Sequence, residues 1–293
     1  MSLIVTLHVF SGRSNPDWIL PEGAEAEFNE RLARIERTAP TSNLKPGSVA
    51  GSLGYRGFTV TDRSGLRVVK IYGGVIDPGS QSATLVTEDR ELERWLLATA
   101  RGGVEDGVRE HVDRQLAIVT KYDPIIPFPL PLLCPICVAK DAPVRDAKFW
   151  GLSDGQAIVN LNNTYNYAND RVTNTNAQPG KGSGHLFTQK DTCAGAGSVL
   201  EAAISDGLVA CSNFSDPLSA GQGWYVALVL WPGHDFHFYR QDSIGCWSHK
   251  MLGQVVELKD NSHKSIKDPQ TADRGPYTVF CSYMVTKCCL RIR

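Results

Sequence analysis

Apolar and polar positions follow two periods along this chain, and the switches between them mark its elements. Residues 4–10 alternate with period two and predict a strand. Residues 22–38 place Ala24, Phe28, Leu32 and Ile35 at spacings of three and four, the stripe of an amphipathic helix. Residues 55–61 and 66–75 read as a hairpin turning at Arg63-Ser64-Gly65. Residues 87–100 open on a Thr-Glu-Asp capping pattern and run through Leu92, Trp95 and Leu96, and 105–119 predict another helix. The sum, residues 1–120, is a small α+β accessory domain.

Residues 121–148 break both periods. Pro124, Pro127, Pro129, Pro131 and Pro135 make an extended connector and the best domain boundary. Beyond it, 162–170 predict a short helix with a polar start, and 193–206 a helix with Val199, Ala202 and Ala203 on one face. Strands are expected at 225–231, 235–241, 246–250, 255–258 and 277–285. A helix followed by antiparallel strands makes residues 149–293 a second α+β domain.

The segment 233–250, GHDFHFYRQDSIGCWSHK, carries the most specific pattern. Its turn length decides whether His237 and His249 share a face. A three-residue loop, Ser243-Ile244-Gly245, pairs Tyr239 with His249 and leaves His237 one diagonal step away, roughly 5–8 Å. Such a loop wants glycine in the left-handed conformation at its last position, where Gly245 stands. Two imidazoles then lie beside Tyr239 and Trp247.

Composition narrows the classes. The chain has 293 residues, 42% hydrophobic and 21% charged, values of a globular protein. A net charge of −1 without a basic face argues against nucleic acid as a partner. No stretch reaches the roughly 20 apolar residues of a membrane span. The N-terminus lacks a basic start, reads as a strand and not a signal peptide, and so predicts a cytoplasmic protein. Eight cysteines are too few for a disulfide scaffold and are expected to be mostly reduced. Cys134-Pro-Ile-Cys137 has half the spacing of a zinc site, or reads as a turn. His234, His237, His249 and Cys246 offer zinc ligands, but alternation sends His234 and His237 to opposite faces, so no metal and no cofactor is expected. Gly180–His185 (GKGSGH) lacks phosphate-loop spacing and reads as a flap.

The chemistry that fits this order is nucleophilic. A nucleophile at the start of the 164 helix gains from the helix dipole and free N–H groups. His237 can serve as base and His249 as its orienter. Thr164 also suits a helix N-cap, a purely structural role.

The order helix, base strand, orienter strand resembles the papain-like cysteine peptidase fold, with a second histidine as in NlpC-type amidases. The segments NNTYNYAND, TNTNAQPGKGSG, HDFHFYRQDSIGCWSHK and TADRGPYTVFCSYM, with VFSGRSNPDW and LGYRGF, are also similar to a group of uncharacterised, mostly bacterial proteins whose first segment reads NNCYNYA. This chain has Thr164 where that pattern has cysteine. A threonine hydroxyl ionises far less readily than a thiol, and a chain-internal threonine lacks an activating α-amine. The resemblance therefore implies a catalytically impaired relative of cysteine amidases. It would bind a peptide-like or other small ligand in the former cleft, with Asn163, Tyr165, Tyr239 and Trp247 around Thr164, His237 and His249. The alternatives are an active hydrolase or acyl transferase using Thr164, His237 and His249, and a structural, self-assembling protein whose cleft does nothing.

Overall fold

Alternation at the N-terminus produces strand β1 (Leu3–Leu7), with Leu3, Val5 and Leu7 buried. The computed structural model describes residues 2–43, 52–79, 83–118, 134–152 and 157–293. Most of residues 42–53 and the proline run Pro124–Pro131 lie outside the described residues. The chain divides into two units, Met1–Val9 with Asn15–Phe128, and Phe10–Ser14 with Pro129–Arg293. Both mix helices with antiparallel sheet, so the α+β class is observed.

The first unit is a seven-stranded sheet in the order β2 (Asp17–Ile19), β1, β4 (Phe58–Asp62), β5 (Val68–Tyr72), β6 (Val75–Asp77), β7 (Thr84–Val86), β3 (Thr41–Ser42). The β4–β5 hairpin pairs Phe58 with Ile71. Helix α1 (Ala24–Thr38) buries Phe28 and Leu32. Helix α2 (Glu91–Thr99) buries Leu92, Leu96 and Leu97, and α3 (Asp106–Ala117) buries Val108, Val112 and Leu116. Glu93 of α2 is buried too. It accepts hydrogen bonds from the N–H groups of Gly73 and Gly74 and from the Tyr55 hydroxyl, which compensates its burial. Strands β6 and β7 have three residues each, too few for a period to register.

The second unit is a six-stranded sheet in the order β12 (Val256–Glu257), β11 (Trp247–Lys250), β10 (Asp235–Gln241), β9 (Trp224–Trp231), β13 (Val279–Thr286), β8 (Val209–Cys211). One face packs an apolar core of Val226, Leu228, Leu230, Phe236, Phe238 and Met284. Helices α6 (Thr164–Ala168) and α7 (Val199–Ser205) contribute to it through Tyr165, Ala168, Val199 and Ala203; the short helices α4 (Ala147–Leu152) and α5 (Ala157–Leu161) precede them. Helix α7 starts six residues later than the sequence predicts. Gly195 and Gly197 take positive φ, and Ser198 then caps the helix by accepting from the Glu201 N–H at 3.2 Å. Among the described residues no helix is long and apolar enough to cross a membrane.

Two disulfides cross this unit, Cys134–Cys246 and Cys193–Cys281. They correct the reading of Cys134–Cys137. Cys134 pairs with a cysteine 112 residues away, while the Cys137 thiol donates to the Ala139 carbonyl. Five residues from the N-terminal part, Phe10–Ser14, also belong here. The buried Asp235 carboxylate holds them. It accepts from the Ser11 N–H at 2.6 Å, the Gly12 N–H at 3.2 Å and the Tyr277 hydroxyl at 2.5 Å. Gly12 must lack a side chain, because the Phe236 ring and carbonyl occupy the place of its Cβ.

A candidate site around a buried histidine pair

The hairpin register follows from its turn. Asp242 N–H donates to the Cys246 carbonyl at 2.8 Å, Gly245 N–H donates back to Asp242 at 2.8 Å, and Gly245 has φ of 82°. Three loop residues then pair Tyr239 with His249. The imidazoles of His237 and His249 meet with centroids 4.9 Å apart and 3.0 Å between His237 Nε2 and His249 Nδ1. His249 Nε2 lies 3.1 Å from the Lys259 carbonyl, which can only accept. A neutral His249 therefore carries its proton on Nε2 and accepts at Nδ1 from His237 Nε2–H. The Tyr239 ring lies 4.8 Å from His237 and 5.1 Å from His249, and Tyr277 lies 5.7 Å from His237. Burial pushes the Tyr239 hydroxyl well above the usual range.

The helix start is built by asparagines. Asn163, not Thr164, is the N-cap. Its Oδ1 accepts from the N–H groups of Tyr165 and Asn166, while Asn166 Oδ1 accepts from the Asn163 N–H. The Asn163 amide also donates to the carbonyls of Gly12 and Ala177. The Tyr165 hydroxyl donates to Asp206, and burial raises its pKa.

Thr164 has another task. Its hydroxyl donates to the Phe238 carbonyl at 2.7 Å and accepts from the Phe238 N–H at 2.9 Å. The β10–β11 register runs only from Gln241 to Tyr239, so Thr164 serves the Phe238 backbone just where β11 stops pairing. Strand alternation does the rest. Phe238 meets Tyr165 at 4.9 Å and Arg240 lies over the Tyr167 ring at 4.0 Å, so the helix covers the face of Phe236, Phe238 and Arg240. His237 and Tyr239 point to the other face.

The structure thus brings His237, His249 and Tyr239 together and sets Asn163, Thr164 and Tyr165 on the helix side. Trp247 packs edge-on against Phe214 at 5.3 Å. All seven residues are buried, with at most 1% exposed. Both bonds of the Thr164 hydroxyl go to main chain, and its proton is donated to the Phe238 carbonyl. The histidines can pass a proton between themselves and tie the hairpin to the Lys259 carbonyl. His234 meets the Trp231 ring edge-on at 5.1 Å, and Cys246 is committed to its disulfide. Among the described residues no group of three or more His, Cys, Asp or Glu is placed to hold a metal.

Sequence reading missed the buried charges. Arg240 is fully buried and donates to Asp242, Asp170, the Tyr167 carbonyl and the Tyr167 hydroxyl. Lys250 donates to the carbonyls of Asn162 and Val159 at 2.7 and 2.9 Å. One signal was available for Arg240. It shares its strand face with Phe236 and Phe238, so an arginine there implies a buried partner.

No protein-family model and no solved structure matches the chain. Among curated proteins it is similar to insoluble matrix shell protein 1 of Ruditapes philippinarum. The two are 44% identical over 127 residues, which is 43% of this chain and 80% of that protein. This finding overturns two expectations. A relative from a shell matrix conflicts with a cytoplasmic location, and the two disulfides agree with the correction, since cytosolic thiols stay reduced. It also replaces the impaired amidase with a ligand in its old cleft. Element order suggested that reading, but order does not say on which face of the sheet a side chain lies.

Proposed function

This chain belongs to the family of insoluble matrix shell protein 1, and from that premise we propose that it is a structural component of an extracellular, insoluble matrix. The match over 80% of that relative carries the reading. Two further observations support it. Four cysteines are paired across the second unit, which suits an oxidising compartment. The side chains that would have formed a cleft are buried, with the Thr164 hydroxyl bonded to main chain and His237 bonded to His249. The order of α6, β10 and β11 supports a papain-like, NlpC-type arrangement of the second unit, in which Thr164 bridges a strand instead of attacking a substrate.

Antibody labelling and fractionation of the producing tissue test this. The protein is expected in the extracellular insoluble fraction, with Cys134–Cys246 and Cys193–Cys281 oxidised in its peptide map. Recovery from the soluble cytosol with these four thiols reduced would overturn the proposal.

A further inference from the structure

The eight cysteines divide into three kinds. Four form disulfides. Cys137 and Cys211 are half-buried, and their thiols donate to the carbonyls of Ala139 and Asn213. Cys288 and Cys289 are exposed.

These last two do not sit on a loose end. Strand β13 ends at Thr286, which is buried and bonded to Asn169. Directly after the pair, Leu290 packs against the core and Ile292 is 4% exposed within it. The Arg293 carbonyl accepts from the Gln178 N–H at 2.6 Å. The turn is therefore fixed on both sides, and its tip holds Cys289 at φ of 71°, a left-handed conformation uncommon for a residue with a Cβ. The tip presents two thiols to solvent.

Closing the pair on itself is unfavourable. Adjacent Cα atoms are about 3.8 Å apart across a trans peptide. Disulfides usually span about 4.4–6.8 Å between Cα atoms, and shorter spans store strain. A disulfide closed between neighbours is strained and easily reduced, which favours exchange of these exposed thiols with another molecule in an oxidising compartment.

We propose that the Cys288–Cys289 turn is a cross-linking site that joins this chain to a second copy of itself by intermolecular disulfides. The proposal rests on the extracellular reading above and deepens it, because a covalent link between copies is a direct route to insolubility. A small oxidised disulfide is the electron acceptor. The thiolate of one copy attacks it, forms a mixed disulfide and releases one small thiol. The thiolate of the second copy then attacks the chain-side sulfur and releases the other. Two chain thiols and one small disulfide become one interchain disulfide and two small thiols. Two adjacent thiols allow two bonds between the same copies, or one bond to each of two copies.

The test uses the purified, natively oxidised full chain incubated with glutathione disulfide, followed by non-reducing electrophoresis and peptide mapping. Dimers and larger species that collapse to monomer with reductant are expected, with the peptide containing Cys288 and Cys289 linked to its own copy. The double variant C288S/C289S should lose most of the multimer while keeping its melting temperature, since both side chains are exposed. Cys137→Ser should link like the parent chain. A parent chain that stays monomeric, ends as glutathione adducts or closes Cys288 onto Cys289 overturns the proposal, as does a double variant that still multimerises. Tissue fractionation is independent of all these outcomes, so a failure here leaves the extracellular reading to be judged separately.

Discussion

The two units solve the same problem, packing helices against an antiparallel sheet, with different chemistry. Among the described residues, the first has no disulfide and surrounds one buried ion pair, Glu93 with Arg90, with apolar packing around Phe28, Leu32, Val60 and Leu96. The second adds two disulfides and an array of buried polar groups, Arg240 with Asp242, Lys250 with carbonyls, and Asp235 with backbone N–H groups. The difference teaches where each unit is vulnerable. Apolar packing is indifferent to redox conditions. Buried charges and cross-links fail when one partner is removed.

The largest effect is expected from Arg240→Ala. It leaves the Asp242 carboxylate buried without its cation, a loss of about 3–5 kcal/mol. Chemical denaturation followed by hydrogen exchange, resolved by unit, should show the second unit opening earlier and the first unchanged. Equal loss in both units would break the comparison.

Removing the Cys193–Cys281 link by C193S/C281S comes next. It frees a loop spanning 88 residues of separation, a cost of about 2–5 kcal/mol confined to the second unit. Reductant should shift the parent chain's second transition in the same direction and leave its first transition in place.

Acid should act on the first unit. Burial, with Arg114 nearby, holds His111 down to about 4, and burial, with Arg56 and Lys70, holds His8 down to about 3. Both folded-state values lie below the ordinary 6.5, so the unfolded chain binds these protons first. The stability they confer is complete above pH 6.5 and declines as pH falls to about 4 for His111 and further for His8. His111 Nε2 accepts the Tyr55 N–H at 3.4 Å, a role that protonation removes. In the second unit burial raises Asp235, whose pKa lies above its ordinary value, so mild acid does not cost that unit stability through this group. Thermal melts between pH 7 and 4 should separate the two transitions, and a second unit that melts first as pH falls would contradict this.

Much of the fold was legible from residue patterns. The stripe of Phe28 and Leu32 made a helix, and the period-two run at the N-terminus made a strand. The strands β6, β7 and β8 were not legible, because three residues carry no period and pairing alone defines them. At the candidate site, the histidine contact was legible and the place of Thr164 was not. Asn163 read as a ligand contact, yet Asn163 and Asn166 close a capping box between them. The disulfide partners were equally hidden, since Cys134-Pro-Ile-Cys137 read as half a zinc site or a turn, and the bond joins Cys134 to Cys246.

The sequence by itself determined the meeting of His237 and His249. A three-residue loop with glycine in the left-handed position sets the strand register, and register is a local property of turn length. Only the tertiary structure decided what that meeting is for. Which face of β10 a helix covers depends on where the whole apolar surface of the sheet finds cover. Here Phe236 and Phe238 drew the helix to their side. The histidines were left on the opposite face, and the Thr164 hydroxyl was left to bridge a strand backbone.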